Sequence, residues 1–176
     1  LAFSFNHDEA IRSFKEAARL DPECPMAWWG IALCNGPHIN NPAMDEAHSK
    51  AAWEALQQAK ALWTKGNASE RQLINALGAR YADPAKGPLP LSPQERAPYD
   101  QAYAKEMKDL DTVFYDDADI ATLYAEAMMD LRPWDLWQKD GQPQPGTPEI
   151  LKALETAMEL TPNHPGANHL YIHAVE

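Results

Sequence analysis

The chain has 176 residues, 45% of them hydrophobic and 23% charged, with a formal net charge of −11 and a pI near 4.9. That length allows one sizeable core or a short stack of repeats. The acidic balance excludes a nucleic-acid backbone or an anionic membrane surface as natural partner, since both need basic patches. No window has the apolar length of a transmembrane helix and no signal peptide opens the chain, so a soluble protein of undecided compartment is expected.

Helix signals run along the whole sequence. In HDEAIRSFKEAARLDP, Ala10, Ile11, Phe14, Ala17, Ala18 and Leu20 fall on one stripe at helical spacing, and Asp21-Pro22 ends it. PMAWWGIALC predicts a second helix, stopped by Gly36-Pro37. Cys24 in the turn and Cys34 near that helix's end are poorly placed for a disulfide and read as two ordinary thiols. A long helix is expected through MDEAHSKAAWEALQQAKALW. Ser69 with Gln72 has capping-box spacing and marks the start of the next. DPAKGPLPLSP, 83 to 93, is a proline-rich connection. Ser92, Pro93 and Glu95 open a helix to about Val113. A turn at Asp116 to Asp119 leads into DIATLYAEAMMDL. Residues 132 to 146 are expected to form an irregular loop, which Trp134 and Trp137 would pin onto the stack or, in the alternative, present as a binding lid. Thr147-Pro148 opens a helix through Leu160, and HPGANHLYIHAVE starts one more. No run alternates with period two, so no strand is expected and the fold class is all-α.

Two stretches repeat one plan: FKEAARLDPECPMAWWGIA and LETAMELTPNHPGANHLYI each close a helix on Leu-x-Pro, turn, and begin another. Ala10, Phe14, Ala17 and Pro22 carry the small, aromatic, small and proline positions of a repeat's second helix. Trp28, Ile31 and Ala32 carry the aromatic, large apolar and small positions of the next first helix. Leu154, Ala157 and Pro162 fit again, with Ile150 and Asn168 as departures. These residues resemble the tetratricopeptide repeat. FNHDEAIRSFKEAARLDP, WWGIALCNGPHIN, YAEAMMDLRPWDLW and HPGANHLYIHAVE together are similar to bacterial tetratricopeptide-like proteins with histidine-rich segments, which are longer chains, so a fragment is expected. The resemblance implies a right-handed superhelical stack, an α-solenoid, of antiparallel helix pairs near 25–64, 70–113 and 118–160, with half-repeats at both ends. First helices would recur at intervals of about 45 to 48 residues, longer than the usual period of about 34.

The resemblance also implies a concave ligand groove lined by fixed positions of each first helix. Carried over, these are Trp29 on one helix, Asp119, Thr122, Glu126, Met129 and Asp130 on another, and His169, His173 and Glu176 on the last. Trp28 would then be the packing residue. The spacing i, i+4, i+7 alone puts His169, His173 and Glu176 on one side of a helix. With Glu126 they form a donor set suited to a divalent transition metal such as zinc, copper or iron. His7, His38 and His164 are possible accessory residues. His169-Leu170-Tyr171-Ile172-His173 has the histidine spacing of a zinc protease but lacks its glutamate, so that activity is not expected. No nucleotide-binding or nucleophile-elbow motif is present. The leading expectation is a scaffold whose acidic, histidine-bearing groove binds a peptide or protein. The alternatives are a metal-binding protein or metalloenzyme and a self-associating structural subunit.

Overall fold

The computed structural model describes all 176 residues and is all-helical. Its α-helices are α1 (His7–Leu20), α2 (Pro25–Cys34), α3 (Glu46–Ala61), α4 (Ala68–Arg80), α5 (Pro93–Val113), α6 (Ala118–Met129), α7 (Thr147–Leu160) and α8 (Pro165–Val175). No helix is long and apolar enough to cross a membrane. The chain divides into two compact units, one of residues 1–37 and 43–103, the other of 38–42 and 104–176.

In the first unit α2 packs on α1, α3 and α4. Its sequence explains this, because α2 is apolar on nearly every side and buries Ala27, Trp29, Gly30, Ile31 and Ala32. Around it Leu56, Ile74 and Leu77 are fully buried, each stabilising the fold by roughly 1.5–3 kcal/mol. Cys24 and Cys34 form no disulfide. The cap of α4 lies earlier than Ser69. Asn67 Oδ1 accepts from Glu70 N–H at 3.0 Å, and Glu70 Oε2 accepts from Asn67 N–H at 2.7 Å. Ser69 instead donates its hydroxyl to Asn67. The capping box at Ser92 and Glu95 is present as its spacing predicts.

In the second unit α6, α7 and α8 pack on one another. Met107, Ile120, Met129, Ile150, Leu154 and Leu170 form its interior. Asp117 caps α6 through the N–H groups of Asp119 and Ile120. α7 is entered through Gly146, at φ 94°, a conformation that favours glycine. Thr147 then donates its hydroxyl to the Leu136 carbonyl at 2.6 Å, which fixes the 132–146 loop to the start of α7.

The repeated plan seen in the sequence is repeated in the backbone. Asp21 (φ −131°, ψ 89°) and Thr161 (φ −139°, ψ 88°) end α1 and α7 in one conformation. Each donates its N–H four residues back, to Ala17 and Ala157, at 2.8 Å in both. Cys24 and His164 then close the two turns by donating to the Asp21 and Thr161 carbonyls.

Candidate functional site

The histidine-bearing residues of α8 lie in the second unit, beside α6. His164 joins the first turns of these helices. Its Nδ1 accepts the Ala167 N–H at 3.0 Å, capping α8. With Nδ1 an acceptor, the proton of the neutral ring is on Nε2, and Nε2 donates to Asp119 Oδ1 at 2.8 Å. His164 is 4% exposed and both its nitrogens serve the packing of α8 on α6. At the other end, Trp137 Nε1 donates to the Ala174 carbonyl at 2.7 Å. Trp134, from the same loop after α6, stands edge-on to His173 with ring centroids 4.7 Å apart. Start meets start and finish meets finish, so α6 and α8 run parallel.

This alignment brings the candidate residues to one level. Glu126 is seven residues beyond Asp119, while His169 and His173 are five and nine beyond His164. At about 1.5 Å per residue, Glu126 sits at a height between the two histidines. Glu126 and Asp130, one turn apart, are half-buried acids near the end of the otherwise largely buried α6, Asp130 being its C-cap. Thr122 and Met129, expected to line a groove, are buried instead. Thr122 gives its hydroxyl to the Ala118 carbonyl at 2.7 Å.

His169 and His173 meet through their Nε2 atoms at 2.9 Å, with ring centroids 4.6 Å apart. The Asn40 amide reaches His169 Nε2 at 3.5 Å. Asn40 is placed there by a tight turn in which His38 and Asn41 exchange backbone hydrogen bonds. Asn40 carries no local signature beyond its Gly-Pro-x-x-Asn-Asn-Pro turn. Burial, and then the neighbouring His173 ring, push the His169 imidazole below its ordinary pKa, so it is held in the neutral form. Glu176 Oε2 lies 3.7 Å from His173 Nδ1, the nitrogen turned away from His169. Glu176 therefore faces the back of the ring rather than the point between the two Nε2 atoms. No group of three or more His, Cys, Asp or Glu side chains converges as a metal-ligand set.

Trp134 adds a feature the sequence does not show. Its backbone is left-handed, at φ 61°, and its side chain leaves it 56% exposed. A non-glycine residue in that conformation costs on the order of 1–3 kcal/mol.

The other candidates lie elsewhere. Trp29 is buried in the first unit and donates its indole N–H to the Leu73 carbonyl at 3.1 Å. Trp28 is the more accessible of the two, the reverse of the sequence expectation, because α2 is enclosed by three helices and the Trp29 direction points inward. His7, also in the first unit, stacks on Phe5 with centroids 5.7 Å apart. His48 is exposed and pairs with Asp45 at 2.8 Å.

Comparison with protein families, curated proteins and solved structures gives no significant match.

Proposed function

We propose that the chain is a tetratricopeptide-like scaffold, built as a right-handed α-solenoid. Its second unit takes a peptide segment bearing a cationic side chain. The binding face consists of Trp134, His169, His173 and Glu176, with the α6 acids Glu126 and Asp130. The observation that carries this reading is Trp134. An indole held at positive φ and more than half exposed gains little from core packing. It offers instead a π face, which attracts ammonium and guanidinium groups by about 0.5–2 kcal/mol. Carboxylates at Glu176 and on α6, and the net charge of −11, favour the same ligand.

Fluorescence anisotropy with labelled oligolysine and oligoarginine peptides, in EDTA, tests the reading. Affinity should fall at least about tenfold on Trp134→Ala or Glu126→Lys while helicity is retained. Affinity indifferent to both substitutions rejects it.

A further inference from the structure

We infer that His169 and His173 form a two-imidazole chelate for a tetragonal divalent transition-metal ion, Cu²⁺ in preference to Zn²⁺, on the half-buried face of α8 that meets Trp134 and Asn40. This rests on ring geometry and is independent of peptide binding. Two nitrogens bound at about 2.0–2.1 Å to one ion lie about 2.9 Å apart at a right angle, against about 3.4 Å in a tetrahedron. The His169 and His173 Nε2 atoms are 2.9 Å apart.

A hydrogen bond alone does not account for the arrangement. If one N–H pointed straight at the other lone pair, the ring centroids would stand about 5.2 Å apart. They are 4.6 Å apart. At least one ring axis is therefore turned well off the line between the nitrogens. That weakens an N–H···N bond, and two rings both turned toward a common third atom would give the same shortening.

The surroundings fit ligation as well. Glu176 Oε2 stands behind His173, 3.7 Å from Nδ1; this is beyond hydrogen-bond reach, so the carboxylate acts on the ring through its charge. Asn40 is within reach of the same point: its amide end is 3.5 Å from His169 Nε2, and turning the amide presents its oxygen as a third donor. Water completes a tetragonal shell on the open side. Two nitrogens with oxygen donors suit Cu²⁺, which also stands highest in the affinity order of the divalent series.

Metal-free protein titrated with Cu²⁺ alone, followed by calorimetry and electron paramagnetic resonance, decides the matter. One ion per chain is expected, with a tetragonal spectrum split by two nitrogens and Zn²⁺ bound at least about tenfold more weakly. His169→Ala and His173→Ala should each weaken Cu²⁺ by about 100-fold. Glu176→Gln should weaken it about tenfold, and His48→Ala and His7→Ala should leave it unchanged. If an alanine variant unfolds, His169→Gln and His173→Gln replace it. Cu²⁺ binding unchanged in the His169 and His173 variants, or a wild-type spectrum with fewer than two nitrogens, overturns the inference.

Discussion

The turn from α1 to α2 and the turn from α7 to α8 are two copies of one device, and they differ in what they present. Asp21 and Thr161 share a backbone conformation, and the hydrogen bonds of the two turns correspond. Past the turn, α2 carries Trp29 and Leu33 where α8 carries His169 and His173. Trp29 is buried and hydrogen-bonded inside its unit, whereas the two imidazoles are only half-buried and face each other. The fold thus needs the Leu-x-Pro turn and the small residues packed behind it. It does not need histidine at 169 and 173, and this is why chemistry is sought there.

The largest effect that would test this contrast is at the first of these positions. Trp29→Ala removes a buried indole and its bond to Leu73, and should cost about 3–5 kcal/mol in chemical denaturation. His169→Ala, at the corresponding place in the second copy, should stay within about 0.5 kcal/mol of wild type. Comparable losses at the two positions would make His169 a packing residue and remove the contrast.

The residues that close the two turns come next. Cys24 makes no side-chain cap, but His164 caps α8 and binds Asp119 from a buried position. His164→Ala should therefore cost about 2–3 kcal/mol, the sum of a lost cap and a lost bond to a carboxylate. Cys24→Ala should cost about 0.5 kcal/mol. His164→Asn, which keeps a capping oxygen but loses the reach to Asp119, should fall between them.

A smaller effect separates the two copies in how they fill volume. A Cβ on Gly30 would lie 2.5 Å from the Phe14 ring, so the large aromatic and the glycine fit only together. The corresponding positions in the second copy hold Leu154 and Leu170, both buried. Gly30→Ala should cost about 1–2 kcal/mol by overpacking, despite alanine's better helix propensity. Adding Phe14→Leu should recover about 1 kcal/mol of that loss, measurable as the coupling in a double-mutant cycle. Strict additivity would mean that the ring moves aside freely.

Much of the helical frame was legible because local rules fix it. Pro25, Pro93 and Pro165 occupy first turns, and the stripe of α1 and the small residues of α7 announce their faces. The α4 cap lies two residues before the expected one, because Ser69-Gln72 and Asn67-Glu70 share one spacing. Only the structure shows which oxygen accepts. Trp28 and Trp29 are about 100° apart around a helix, so choosing the buried one requires knowing what surrounds α2. The candidate site was legible as far as His169, His173 and Glu176 sharing a side. Asn40 on His169, Asp119 on His164 and Trp134 on His173 join residues far apart in sequence, which no local pattern encodes. The left-handed backbone of Trp134 has no signature in its neighbours either.

The smallest expected effect is a pH dependence. In the folded chain burial, reinforced by His173, favours neutral His169. In the unfolded chain the same group titrates near its ordinary value of about 6.5. Above that value both states carry a neutral ring and stability is unaffected. As pH falls through it, the unfolded chain takes up the proton first, so stability declines until the lowered folded value is passed, and then levels off. Burial lowers His7 in the first unit in the same way. Asp111, whose carboxyl is raised by burial, acts in the opposite sense and at lower pH, so the window to examine is about 7.5 down to 5.5. Denaturation midpoints should fall across that window in wild type. His169→Asn and His7→Asn should each remove part of the slope, and the double variant most of it. A slope that His169→Asn leaves untouched would show that the imidazole pair is as easily protonated folded as unfolded, and would count against a neutral, ligand-ready His169.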